Sequence, residues 1–115
     1  MQRIMLKSKI HGCFLTKIVL DYKGSIGIDG NLMKAADILE NEKVHVLNLN
    51  NGERLETYTI KEKAGSGAII LYGPAAKKGK VGDTLYILSY CIVGDKEAGS
   101  LKPKIIKVGN NNKII

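Results

Sequence analysis

The stretch Tyr22-Lys23-Gly24-Ser25-Ile26 contains a Gly-Ser bond, and in the right setting such a bond can cut itself. The serine hydroxyl attacks the preceding carbonyl in an N-to-O acyl shift. β-Elimination of the ester then leaves dehydroalanine, which hydrolyses to a pyruvoyl group. Glycine suits the first step, because without a Cβ it leaves its carbonyl open to attack and admits strained or positive-φ backbone. The same dipeptide recurs at Gly65-Ser66 and Gly99-Ser100, in Ala/Gly/Ser and Glu-Ala-Gly-Ser stretches that read as ordinary turns. Gly24-Ser25 therefore has to be judged by what surrounds it.

The elements that would position it are mostly strands. Residues 3 to 16 alternate loosely and predict a long strand with Lys7, Lys9, His11 and Cys13 on one face. A short strand ends over Leu20 to Lys23, the Gly-Ser bond falls at the break, and Ile26-Gly27-Ile28 resumes extended chain. Asp29 caps a helix whose apolar stripe is Leu32, Met33, Ala35, Ala36 and Leu39, ending near Asn41. Lys43 to Leu49 is a strand, turned at Asn51-Gly52 by a two-residue type I′ hairpin into Glu53 to Lys63. Ala68 to Tyr72 and Thr84 to Val93 read as buried strands separated by a lysine-rich loop at Lys77 to Lys80. Lys104 to Val108 is the last strand, and Asn110 to Asn112 a fraying tail. Seven or so short strands with one helix and no repeats predict a mainly β fold, a small barrel more than a sandwich.

Composition narrows the function. A chain of 115 residues is one domain, burying roughly 65–70% of its unfolded surface. The Leu85 to Val93 run is broken by Ser89 and too short to span a bilayer, so no membrane segment is expected. Charges at Arg3 and Lys7 interrupt any leader-like stretch, which makes the cytoplasm the default. Cys13, Cys91, His11 and His45 show no zinc-site spacing, so no metal is expected and both cysteines read as buried thiols. The net charge of +7 suits anionic partners, but one Phe, no Trp and no basic run interleaved with aromatics argue against nucleic acid. An acidic metabolite is the better partner.

Around the Gly-Ser bond the chain carries Lys9 and His11, Tyr22-x-Gly24-Ser25, Ile28-Asp29, Ile38-Leu39-Glu40-Asn41-Glu42, Asn51-Gly52-x-Arg54 and Thr57-Tyr58. In order and spacing these elements, spread over residues 3 to about 95, resemble the pyruvoyl-dependent aspartate 1-decarboxylases, which make β-alanine for pantothenate biosynthesis. The resemblance implies a double-psi β-barrel, a homotetramer with sites at subunit interfaces, and self-cleavage into residues 1–24 and 25–115. It also implies a covalent pyruvoyl group from Ser25, which condenses with the amine of L-aspartate and accepts the electrons released as carbon dioxide leaves.

By the same resemblance Arg54 and Lys9 bind substrate carboxylates, Tyr58 protonates Cα, and His11 and Tyr22 line the site. Thr57 hydrogen-bonds the Gly24 carbonyl during the acyl shift and also borders the substrate, and Tyr72, Gly73 and Ala75 complete the wall. The chemistry of the residue types agrees: a guanidinium holds a carboxylate with two parallel bonds and an ammonium adds a point charge. Singly, each has a plainer role as surface charge, turn residue or strand former. The chain departs from the usual pattern at Tyr72, where the family has asparagine, and at Pro74, where it has alanine. A hydroxyl thereby replaces a carboxamide, and one backbone N–H is lost. Strict alternation puts Arg54 and Tyr58 on one face of a strand and Thr57 on the other, so either a bulge or a site between subunits is needed. Two other readings stay open: a basic β-barrel nucleic-acid-binding module of swapped-hairpin type with a chance Gly-Ser turn, and a pyruvoyl enzyme for another acidic amino acid.

Overall fold

Alternating apolar residues build about half of the chain into strands in the computed structural model, which describes residues 1–115. In chain order these are β1 (Gln2–Phe14), β2 (Lys17–Val19), β3 (Ser25–Asp29), helix α1 (Gly30–Ala35), β4 (Lys43–Asn48), β5 (Arg54–Glu62), β6 (Ile69–Tyr72), β7 (Thr84–Gly94), the short helix α2 (Asp95–Ala98) and β8 (Lys104–Lys107). Two 3-10 turns, Gly73–Lys78 and Asn110–Asn112, complete it. The eight strands form one mixed sheet in the order β2-β6-β3-β5-β4-β7-β1-β8.

The sheet curls on itself. Ile10 of β1, Ile26 of β3, Val46 of β4, Ile69 of β6 and Ile87 of β7 are all fully buried in one core, so strands from both ends of the order share it. Beyond β1, Thr16 donates from N to Ile69 O (2.8 Å) and its hydroxyl accepts from Ile69 N (3.0 Å), tying β1 to β6 across the opening. Each such isoleucine or valine contributes about 1.5–3 kcal/mol by leaving water. The mainly β, barrel-like expectation therefore holds, with eight strands. No helix is long and apolar enough to cross a membrane.

Local departures have local causes. Register shifts between Leu6 and Ser8 and between His11 and Cys13 break the alternation of β1. At the second, Gly12 adopts φ +87°, and Cys13 swings into the core while Lys9 and His11 stay outside. At the first, the ammonium of Lys7 reaches Glu42 Oε2 at 3.1 Å. Burial alone would raise the Glu42 carboxyl, but hydrogen bonds from the Ser89 hydroxyl, Leu39 N–H and Lys7 outweigh it and hold the group below the usual range.

Asp29 caps α1 as expected, accepting from Asn31 N at 2.8 Å, but the helix stops at Ala35. Asp37 turns left-handed (φ 56°), Ile38 enters the core, and Leu39 is left 72% exposed. The Asn51-Gly52 turn is not type I′, which needs positive φ at both central residues. Only Gly52 (φ 74°) has it; the loop is longer, closed by Asn48 N to Glu53 O and Gly52 N to Asn48 O. The asparagine tail does not fray either. Asn112 is 2% exposed, accepts from Phe14 N at 2.7 Å and donates to Phe14 O and Gly67 O, stitching the C-terminus into the sheet.

Candidate active site

The chain leaves β2 at Val19 and runs irregularly to Ser25, where β3 begins. Ser25 is completely buried and lies opposite Tyr72 of β6 in antiparallel register. Its hydroxyl donates to Lys23 O at 3.3 Å. Gly24 is not in the left-handed region, so positive φ does not explain the glycine. Crowding does: a Cβ at 24 would meet Pro74 Cδ at 3.3 Å. Gly73 is the more demanding position, with φ 64° and a hypothetical Cβ 2.8 Å from Gly24 N, 2.9 Å from the Lys23 carbonyl carbon and closer still to Tyr22 O. The bare backbone at 73 is thus pressed against the bond before Ser25, with buried Ala75 behind it.

Tyr72 packs its ring 4.8 Å from that of Tyr22 at a 48° tilt. Its hydroxyl donates to Glu62 Oε2 at 2.8 Å. Burial, then the bond to Glu62 and its negative charge, push the Tyr72 phenol up to about 12. It stays protonated at neutral pH.

β5 runs parallel beside β3, its pairing starting at Ile26 with Thr59, so the chain just before Ile26 lies towards the Thr57–Tyr58 end of β5. No hydrogen bond joins Thr57 to the Gly24 carbonyl in this uncut chain; the Ser25 hydroxyl is engaged with Lys23 O. Arg54 to Tyr58 pairs with β4 in unbroken register, from Leu47–Arg54 to Lys43–Tyr58. There is no bulge, so Arg54 and Tyr58 face one side of the sheet and Thr57 the other. Of the two ways to reconcile these residues, the bulge is ruled out.

The cations gather elsewhere. Arg54, Leu47, Tyr86 and His11 are successive partners across β5, β4, β7 and β1, a single row on the outer face. His11 stacks on Tyr86 (centroids 4.4 Å, 17°), and Lys9 Nζ lies 4.8 Å from the centre of the same ring. Beside them a cleft of about 220 Å³ is lined by Leu47, Gly52, Arg54 and Tyr86. Four residue steps along the strand lead from Arg54 to Tyr58, about 13 Å at 3.3 Å per residue. One chain therefore brings together Tyr22, Gly24, Ser25, Tyr72, Gly73 and Ala75, with Thr57 and Tyr58 alongside. It brings together Lys9, His11 and Arg54 separately, around Tyr86.

Tyr86 and Glu62 were missed from sequence. Both contact expected site residues from other strands, and the only local signal was that each is a polar-tipped residue in a strand. A larger groove of about 470 Å³, lined by Ile4, His45, Glu56, Tyr90, Cys91 and Ile92, contains none of the expected site residues. Cys91 there is partly exposed, contrary to the expected burial; Cys13 is buried, and that burial pushes its thiol up to about 12.

With this geometry in hand, comparison with known proteins is specific. The family described as "Aspartate decarboxylase" matches residues 1–115. An aspartate 1-decarboxylase of Thermoanaerobacter pseudethanolicus is 56% identical over 98% of this chain and 97% of its own. One from Kosmotoga olearia is 54% identical over 100% and 98%, and one from Ralstonia pickettii 50% over 99% and 95%.

Proposed function

The chain belongs to the aspartate decarboxylase family, and from that premise we propose that it removes the α-carboxylate of L-aspartate, giving β-alanine and carbon dioxide, with a pyruvoyl group made from Ser25. The observation that carries the maturation step is the fully buried Ser25 beneath a glycine contact, Gly73, that no side chain could occupy.

Self-cleavage needs only this chain and water. Ser25 Oγ adds to the Gly24 carbonyl carbon, the Gly24–Ser25 C–N bond breaks, and the serine nitrogen gains the proton lost by Oγ. Loss of the Ser25 Cα proton then expels the Gly24 carboxylate and leaves dehydroalanine. Water adds and ammonia departs, leaving a ketone at position 25 of the 25–115 piece. Thr57, two residues before Thr59, the strand partner of Ile26, is the hydroxyl assigned to the oxyanion once the Ser25–Lys23 bond is given up.

The pyruvoyl carbonyl supplies an electron sink for the decarboxylation. The residues do the rest. Arg54 grips one carboxylate through two parallel hydrogen bonds, and Lys9, held over Tyr86 beside His11, adds a fixed charge. Tyr58 delivers the proton to Cα from its phenolic oxygen. Tyr22, Tyr72 and Ala75 wall the pocket. The distance along β5 between Arg54 and Tyr58 favours a site completed by a neighbouring subunit, consistent with a homotetramer whose Lys9, His11 and Arg54 face the Ser25 of the next copy.

Intact-mass measurement after warm incubation tests this directly. Pieces 1–24 and 25–115, the second lacking a free amine, together with carbon dioxide release from aspartate over glutamate, are expected. A chain that stays whole and binds nucleic acid, or one that prefers glutamate, overturns the reading.

A further inference from the structure

Walling the pocket does not need the Tyr72 hydroxyl, and the structure gives that hydroxyl one dedicated partner. The Glu62 carboxylate accepts the Tyr72 hydroxyl at 2.8 Å. Glu62 reaches that point by lying over Gly27: a Cβ there would be 2.9 Å from Glu62 Cδ and nearer still to its oxygen. Gly27 is two residues beyond Ser25 on the same face of β3, and Tyr72 is the direct cross-strand partner of Ser25. The carboxylate, the phenol and the reacting residue thus share one surface.

On the far side, the Tyr72 ring packs against Tyr22, whose residue is 55% exposed and stands in the irregular run between β2 and β3. That run has no strand partner of its own before Ser25. Intramolecular acyl transfer depends steeply on holding nucleophile and carbonyl in a near-attack geometry, so whatever immobilises residues 22–24 sets its rate. Gly73 and Pro74 press on these residues from one direction, and the Tyr72 ring braces the Tyr22 ring from another.

We propose that Glu62 is a positioning residue for self-cleavage: by fixing the Tyr72 hydroxyl it locks the Tyr72 ring against Tyr22 and so holds the Gly24 carbonyl for attack by Ser25. The inference rests on the proposed maturation and adds to it a residue and a route. In this chain a phenol held by a carboxylate does the work of orientation.

The test is a time course of cleavage by intact mass on freshly made full-length chain, with thermal melts in parallel. Tyr72→Phe keeps the ring and removes only the hydroxyl, so it is the variant least able to disturb folding. Tyr72→Phe and Glu62→Ala are each expected to slow appearance of the 25–115 piece about tenfold, as for loss of one charge-assisted hydrogen bond. The double variant is expected to be no slower than the slower single, because both remove the same bond. Glu62→Gln, which keeps an oxygen acceptor at the same reach, restores most of the rate. Single variants that cleave at the parent rate, whatever their melting temperatures, overturn the proposal, as do single effects that multiply in the double. A parent chain that never cleaves overturns both this inference and the function on which it rests.

Discussion

Three Gly-Ser bonds in one chain allow a comparison with chemistry held constant. Gly65-Ser66 is an exposed turn: Gly65 is left-handed (φ 83°), and the Ser66 hydroxyl accepts from Ala68 N at 3.2 Å. Gly99-Ser100 follows α2 in open space, with nothing within 4 Å of a Cβ at 99, and its hydroxyl donates to Glu97 O at 3.2 Å. Gly24-Ser25 has much the same hydroxyl bond, to Lys23 O at 3.3 Å. The hydroxyl partner does not set it apart. The difference is confinement: Ser25 is fully buried, and the atoms before it are squeezed by Gly73 and Pro74. Proximity of nucleophile and carbonyl is common to every Gly-Ser, whereas a backbone held rigidly while one hydroxyl turns is not.

The sharpest way to break the comparison is serine removal. Ser25→Ala should leave a folded, uncut chain with no decarboxylation, while Ser66→Ala and Ser100→Ala should cleave and turn over at the parent rate, as read by mass and carbon dioxide release. Next is the squeeze. Gly73→Ala forces a side chain into the backbone of residues 22–24 at positive φ and should cut the cleavage rate by about a hundredfold, a strain of roughly 3 kcal/mol; Gly99→Ala should leave it unchanged.

Arg54→Ala separates making the site from using it. Cleavage should proceed normally while kcat/KM for aspartate falls about thirtyfold, mainly through KM, as steady-state kinetics on fully cleaved protein would show. Normal turnover would remove Arg54 from substrate binding.

The smallest effect concerns the exposed Gly65-Ser66 turn, which hangs on Asp29. That carboxylate accepts from Gly65 N at 3.0 Å, Gly67 N at 2.8 Å and Asn31 N at 2.8 Å. Burial would raise its pKa, but these bonds and the charge of Lys113 outweigh it and hold the group below its usual 3.8. A folded-state pKa lowered in this way contributes stability that is fully present above 3.8 and is lost as pH falls further, through the folded value. Asp29→Asn should therefore cost about 1–2 kcal/mol in denaturant melts at pH 7, and the gap from the parent should narrow below pH 3.8. A constant gap across that range would show that the charge is not what holds the turn.

Much of this was readable in the sequence, for identifiable reasons. The strands announced themselves through alternation, Asp29 through its place before an apolar stripe, and the family through a spacing few unrelated chains share. What escaped detection depends on contacts between residues far apart in sequence. No local rule ties Glu62 to Tyr72, or Tyr86 to His11 and Lys9. Cys13 is buried as expected, but it leaves the face of Lys9 and His11 because Gly12 takes a left-handed bulge that reverses the period. The asparagine tail looked like a frayed end because its one buried side chain, Asn112, bonds to residues 45 and 98 positions away. Asn51-Gly52 carried a strong turn signal, yet Asn48 on the adjoining strand closed a longer loop.

The strand order carries a last consequence for the segment ahead of the Gly-Ser bond. Residues 1–24 supply β2, at one edge of the sheet, and β1, next to the other, and neither pairs within the segment: β1 bonds to β7 and β8, β2 to β6. Scission before Ser25 would spare every strand pairing and turn the segment into a separate peptide clasped along both margins. The cut subunit would become a two-body complex, and its melting point would depend more steeply on concentration than that of the uncut chain. The strap that closes the barrel would become a ligand of it.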